Sequence, residues 1–416
     1  MNRPLRLVAG WSIALVAALL LNLAMVRPTT APPGVVLSGE LPASPNPTVT
    51  PLRDPIDRLP PIVVPPGGET GSGSARPVEL APLSDSQAAT LQAAADRARL
   101  AFHLDALAIG VSIGGSSGWT GASGLARDGF TSLDGDSPFA IASITKTFTA
   151  AVALQLVEEG RLSLGQEVRQ LLPDVQAPAG VKVGQLLRHT SGIADLLNPL
   201  RDRLNAATDR LWHPDEVVAA VGQPWFAPGA AWAYSNTNYV LLGMIVEKVT
   251  GQSFAHELRE RILAPLELSS TGLLLGEGAP PLMTPSWASA FGASGSMYAS
   301  ADDLLRWGDA LYGGRVLGSK ALKHMLDFKG HGYGMGAEKI PIGGVPGYGH
   351  SGLLRGYTSL VVHLPEPEIT LVLMGTTNMF DPARVLAHRE ARQPSILDLA
   401  QEAAGVEPAA EVDDAA

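Results

Sequence analysis

Ser143 precedes Lys146 by three residues, a spacing that sets a hydroxyl and an amine on one face of a single helical turn. A serine hydroxyl is a poor nucleophile near neutral pH unless a base removes its proton. The flanking residues 139–142 and 147–148 are largely apolar, so both polar side chains have to enter a cleft rather than a solvated face. An amine held away from water has its charged form disfavoured and can serve as that base. Two further polar islands follow, Tyr234-Ser235-Asn236 and His350-Ser351-Gly352. Tyr234 can relay a proton if the charge of Lys146 stabilises its phenolate, and Asn236 can bind a substrate amide. The third island would present a strand edge whose backbone N–H groups bind an oxyanion. Singly, these are a surface decoration, a polar turn and a hairpin turn. Together they read as one acyl-transfer site.

In this order the islands resemble the active-site serine penicillin-recognising family: the class C β-lactamases, D-alanyl-D-alanine carboxypeptidases and related esterases. The resemblance extends through Leu186-Leu187-Arg188-His189-Thr190-Ser191-Gly192-Ile193, through Tyr234-Ser235-Asn236-Thr237-Asn238-Tyr239 and through Gly349 to Gly356, and it covers residues 84–400. The chain departs from the Ser-Asp-Asn and Lys-Thr-Gly set of other branches and matches the Tyr-x-Asn branch, with His350 where many relatives have lysine. The resemblance implies that Ser143 attacks a carbonyl, that Lys146 and Tyr234 move its proton, and that Asn236 holds substrate. His350, with Ser351 and Gly352, would shape the carboxylate or ester side of the cleft. The backbone N–H groups of Ser143 and Leu353 would form the oxyanion hole, and His189 and Ser191 would belong to a structural loop. Histidine is only partly protonated near neutrality, so tight binding of a substrate carboxylate is disfavoured and ester or peptide substrates gain ground.

The elements that must position these residues are legible in outline. Ser84 and Gln87 open a capping box for a helix over 84–103, followed by strands over 106–113 and 118–125. A helix over 142–159 carries Ser143 in its first turn, where the partial positive charge of a helix N-terminus favours developing negative charge. Residues 166–285 read as an inserted all-helical subdomain. A helix over 301–312, capped by Ser300, then leads to strands over 332–340, 357–363 and 369–374 and a last helix over 395–404. The fold class expected is α/β of the α+β type: an antiparallel sheet flanked by helices with a helical insert, β-lactamase/transpeptidase-like by resemblance.

With 416 residues, 46% of them hydrophobic and 17% charged, the chain can bury a large core. A net charge of −10, without clustered Lys and Arg, argues against nucleic acid as a partner. The absence of cysteine rules out disulfides, a thiolate nucleophile and thiolate metal sites. The nine histidines are scattered without His-x-x-x-His or His-x-His spacing, so no metal ligand set is expected, and no organic cofactor.

Arg3 and Arg6 precede the uncharged stretch 7–26, which reads as a signal peptide or an uncleaved signal anchor. Its 20 residues, at about 1.5 Å each, would reach across a bilayer. Residues 27–83 hold 14 of the 33 prolines and a Gly/Ser run, a composition that reads as a linker. Residues 401–416 read as an acidic tail. The function expected is a serine hydrolase of the cell envelope, extracytoplasmic and either secreted or membrane-anchored. Its acyl-enzyme would form on a β-lactam, a D-Ala-D-Ala peptide or a small ester, so the partner is a small-molecule or peptidoglycan-derived substrate. The alternative is an envelope binding protein that keeps the fold without turnover. Oligomeric state is not encoded legibly.

Overall fold

The computed structural model describes residues 75–126, 129–377, 380–390 and 393–408, together with the strand β1 (Thr50–Pro51). The expected signal or anchor at 7–26, most of the expected linker and the end of the acidic tail lie outside the described residues. Among the described residues no helix is long and apolar enough to cross a membrane.

The packed chain begins upstream of the first long helix. Ala75 and Val78 are buried in the core, and β2 (Ala81–Pro82) pairs parallel with β4, so residues 75–83 join the folded body instead of the linker. Helix α1 (Asp85–Ala101) starts at the expected capping box, where Ser84 and Gln87 satisfy each other's backbone N–H groups. It packs on the hairpin of β3 (Ala106–Ile113) and β4 (Ser117–Gly124), with Gln92 Nε2 donating to Ala122 O at 2.9 Å.

After β5 (Phe139–Ala140) and helix α2 (Thr145–Glu158) comes the insert. It holds α3 (Val168–Leu171), α4 (Val183–Leu187), α5 (Leu197–Ala206), α6 (Pro214–Ala220), β6 (Ala231–Trp232), α7 (Asn236–Thr250), α8 (Phe254–Leu258) and β7 (Gly272–Leu273). The insert is therefore helix-rich but not all-helical. Its β7 pairs with β8 (Met297–Ala299), which pairs in turn with β5. This small sheet clamps the chain just ahead of Ser143, where Ile141 N donates to Met297 O at 3.0 Å.

The chain continues through α9 (Pro285–Phe291), α10 (Ala301–Tyr312) and α11 (Ser319–Met325) into β9 (Glu338–Lys339), β10 (Tyr348–Leu354), β11 (Tyr357–Leu364) and β12 (Ile369–Gly375), ending in α12 (Pro382–Ala387) and α13 (Ile396–Ala403). The expected strand over 332–340 shrinks to two residues. Gly332 and Gly336 take φ of 68° and 79°, left-handed conformations that glycine adopts freely and that turn the chain instead of extending it.

The main sheet has the order β2-β4-β3-β12-β11-β10-β9 and is antiparallel except at β2–β4, a mixed sheet with helices on both faces. Every residue of β11 and β12 is buried, as continuous apolar strands covered on two sides should be. One face packs on α2 and α10, the other on α1, α12 and α13. Helix α10 approaches so closely that a Cβ at Gly308 would meet Thr370 Cγ2 at 2.8 Å and Val361 Cγ2 at 2.9 Å.

A buried polar chain lies under this contact. His363 Nδ1 donates to Thr370 Oγ1 at 3.0 Å, and Thr370 Oγ1 donates to Asp309 Oδ1 at 2.5 Å. Burial pushes the Asp309 carboxyl up to about 6 and His363 down to about 4. A carboxyl raised in the folded state favours the protonated form, so its cost is absent below the ordinary carboxylate range and complete above about pH 6. Asp309→Asn is therefore expected to raise the unfolding free energy at pH 8 by on the order of 3 kcal/mol and to change little near pH 4, as read by denaturant unfolding at the two pH values.

Candidate active site

Four stretches far apart in sequence bring their polar groups together where the main sheet meets the insert. The nucleophile segment is pinned on both sides. Ile141 N is held by β8, and Ile141 O accepts from Ser359 Oγ of β11 at 2.9 Å. Ala142 follows with φ of 46°, a left-handed conformation that costs a side-chain-bearing residue on the order of 1 kcal/mol. Ser143 then lies in a 3-10 turn, Ala142–Ile144, that runs into α2. As expected from the sequence, Ser143 opens a helical segment, and it is half-buried while Lys146 one turn on is fully buried.

Lys146 Nζ has three oxygen partners: Ser143 Oγ at 3.1 Å, Asn236 Oδ1 at 2.8 Å and Ser294 O at 2.6 Å. The set suits both protonation states. As ammonium, Nζ donates to all three; as neutral amine it donates to the two carbonyl-type oxygens and turns its lone pair to the Ser143 hydroxyl. Burial lowers the Lys146 pKa to about 7, against the opposing charges of Asp195 and Glu338. The amine is thus poised to accept a proton near neutrality.

Tyr234 neighbours Ser143, and Lys146 Nζ stands 4.9 Å from its ring centroid. Burial, with Glu338 adding to it, holds its phenol well above the usual range. The phenolate anticipated from the neighbouring lysine is therefore corrected: desolvation outweighs the cation, and Tyr234 stays a protonated donor.

Asn236, the first residue of α7, has both ends of its amide engaged within the protein. Oδ1 accepts from Lys146, and Nδ2 donates to Asp195 Oδ2 at 2.9 Å. It braces the base in this structure, where the sequence reading had it holding substrate.

The third island forms the strand β10 as expected, but its histidine does not carry charge. His350 is buried, and burial together with Lys146 pulls its pKa down to about 3. Nδ1 lies 2.5 Å from Ser351 O, so the proton sits there, leaving Nε2 to accept from Tyr333 O–H at 3.1 Å. The 3.6 Å approach of Nε2 to Glu338 is thus no ion pair. Glu338 instead accepts from Ser351 Oγ at 3.1 Å and Ser351 N at 3.4 Å, and burial pushes its carboxyl up to about 7.

That bond also orients the strand. In an antiparallel ladder N–H groups alternate between the partner and the opposite side. Ser351 N points to Glu338, away from β11, so Leu353 N two residues on points the same way. Strand β9 pairs only with Tyr348 and Gly349, which leaves the edge at Leu353 open. Gly352 brings this edge against the nucleophile segment: a Cβ there would stand 2.2 Å from Ile141 O. Leu353 N and Ser143 N, an N–H at the start of a helical turn without an internal acceptor, can then address one oxygen.

Three contributors escape a sequence reading: Asp195 and Glu338, single acidic residues in loop and turn-rich stretches, and Ser294, which acts through its backbone carbonyl. The only available signal is the placement of Asp195 shortly after the His189-Thr190-Ser191-Gly192 run. That run does build a loop. His189 Nδ1 accepts from Ser235 N at 3.1 Å, Ser191 Oγ donates to Asn238 Oδ1 at 2.7 Å, and the His189 ring lies 4.3 Å from that of Tyr234. Among the described residues no group of three or more His, Asp or Glu is placed to hold a metal ion.

A model of the Beta-lactamase family matches residues 94–394. Penicillin-binding protein 4 of Amycolatopsis lactamdurans is 31% identical over 318 residues, covering 67% of this chain and 82% of the relative. Among solved structures, a D-stereospecific amidohydrolase from Streptomyces sp. superposes with a TM-score of 0.62 at 31% identity, covering 72% of this chain and 97% of that one. The D-amino acid amidase of Ochrobactrum anthropi SV3, complexed with D-phenylalanine, gives 0.65 at 25% identity, covering 77% and 99%.

Proposed function

Since the chain belongs to the β-lactamase family, whose members are serine hydrolases, we propose that it hydrolyses small amides and esters, including D-amino acyl and peptidoglycan-derived ones, through an acyl-enzyme on Ser143. The observation that carries this reading is the buried Lys146 amine, 3.1 Å from the Ser143 hydroxyl with its pKa near 7.

In the forward step neutral Lys146 takes the hydroxyl proton as Ser143 Oγ bonds to the carbonyl carbon. The oxyanion is received by the N–H groups of Ser143 and Leu353. Tyr234 O–H supplies a proton to the leaving amine or alcohol, and the resulting phenolate recovers a proton from the Lys146 ammonium, whose Nζ stands 4.9 Å from the Tyr234 ring centroid. Water then attacks the ester with Lys146 again accepting the proton. As the tetrahedral intermediate collapses, Lys146 gives that proton to the departing Ser143 Oγ, 3.1 Å away, and the acid leaves. Because burial keeps His350 neutral, this position of the third island offers no cation, which argues for amide and ester substrates over those anchored by a carboxylate. The names of the two amide-hydrolysing structural neighbours support the same preference. Placement outside the cytoplasm, secreted or anchored through residues 7–26, is part of this proposal and rests on Arg3, Arg6 and the apolar stretch that follows.

Purified protein offered a D-amino acid p-nitroanilide, a p-nitrophenyl ester and a chromogenic β-lactam is expected to turn over the first two faster than the third. Ser143→Ala should reduce turnover by roughly 10⁴- to 10⁶-fold and abolish the acyl adduct seen by intact mass. Activity surviving in Ser143→Ala, or a β-lactam consumed fastest, would overturn the reading. A permanent adduct without release would point to a binding protein.

A further inference from the structure

Asp195 lies in the loop ahead of α5, half-buried, and has no part in the steps above. Its Oδ1 accepts from Leu197 N at 2.8 Å, while Oδ2 accepts from Asn236 N at 2.5 Å and from Asn236 Nδ2 at 2.9 Å. An ionised carboxylate can only accept hydrogen bonds. The Asn236 atom facing it must therefore be Nδ2, which turns Oδ1 toward Lys146. Were the amide rotated, Nδ2 would oppose the Lys146 amine donor to donor, and Oδ1 would face the carboxylate.

We infer that Asp195 is a positioning residue for the base: it fixes the side-chain amide of Asn236 so that Lys146 keeps an oxygen partner and stays aimed at Ser143. The inference rests on Ser143 and Lys146 being nucleophile and base. Asp195, Asn236, Lys146 and Ser143 form one continuous chain with links of 2.9, 2.8 and 3.1 Å, running from the insert to the nucleophile. Asp195 is also one of the two carboxylates that raise the Lys146 pKa against the effect of burial, Glu338 being the other. The remaining titratable groups facing the amine are His189, His350, Tyr234 and Tyr239, all neutral because burial holds the histidines below and the tyrosines above their ordinary ranges. They leave Asp195 and Glu338 as the charges that set the amine.

The test is the pH dependence of kcat/KM in Asp195→Asn, an isostere that keeps an oxygen for Asn236 but presents an NH2 group to Leu197 N. The rising limb is expected to move to lower pH by about half a unit to one unit, and kcat to fall about tenfold or more. In an Asn236→Ala background the same change should lower kcat by less than about twofold, since the residue it acts through is gone. A merely structural Asp195 would reduce the yield of folded enzyme at every pH without moving the limb. An unmoved limb, or losses that multiply in the double variant, overturns the inference. If Asp195→Asn does not fold, Asp195→Glu keeps the charge and should leave the limb in place while lowering kcat only when Asn236 is present; equal loss in both backgrounds overturns it. Ser143→Ala run alongside separates this outcome from failure of the nucleophile assignment, which alone would leave acylation intact there.

Discussion

Lys146→Met is expected to slow acylation of Ser143 by roughly 10³-fold, the scale of a well-placed general base. Methionine is apolar and of similar length, so it can occupy the fully buried position without a cavity while offering no lone pair of comparable basicity to the hydroxyl. Asn236 Oδ1 and Ser294 O each lose their donor, yet both belong to elements held by other contacts, α7 through Asp195 and the 3-10 turn Gly292–Ser294 through packing on α7. The pH profile should change as well. The reaction needs the neutral amine, so in the parent enzyme kcat/KM rises tenfold per pH unit below about 7 and levels above it, following the Lys146 pKa near 7. The methionine variant should lack that limb. Rates of p-nitrophenol release from about pH 5 to about pH 9 check both parts; an undiminished limb at pH 7 would assign the base to another group.

Gly352→Ala should be nearly as damaging although no functional side chain is touched. The new methyl would stand 2.2 Å from Ile141 O and 2.3 Å from Ser359 Oγ, distances no packing tolerates. Both atoms belong to the hydrogen bond that pins the nucleophile segment to β11. The strand must move away, taking Leu353 N–H from the developing oxyanion. The expected loss is on the order of 10²-fold in kcat, that of one oxyanion donor, with about 1 to 3 kcal/mol of stability lost to overpacking. Gly222→Ala, where no heavy atom lies within 4 Å of the added Cβ, is the control and should match the parent. Steady-state kinetics and thermal unfolding of the pair check the assignment.

What the sequence could reveal follows from how each feature is encoded. Local rules reach Ser84 and Gln87 at the head of α1, the apolar strands β3, β11 and β12, and the single-turn relation of Ser143 to Lys146, because neighbours in sequence settle them. Resemblance adds Tyr234 and the β10 edge, whose association depends on a shared fold. Charge states depend on burial and were less accessible. A lysine beside a tyrosine suggests a phenolate until the depth of both is known, and then desolvation reverses the conclusion. Asn236 was legible as a site residue but not in its role, since its partner Asp195 stands 41 residues away with no motif to mark it. Glu338 was hidden inside a stretch whose alternating glycines mimic a strand.

The order of the main sheet has a consequence for when activity can first appear. β3, from the opening of the domain, is bonded on one side to β4 and on the other to β12, near its end, and the edge carrying Leu353 is laid down only through β11 and β12. A ribosome delivers these strands after the whole of the insert. Until residues up to about 375 have emerged and closed against β3, the serine has its lysine within reach but no completed receptacle for the oxyanion. A nascent chain in transit is therefore chemically quiet, and competence arrives in one late step with the joining of the chain's two distant ends.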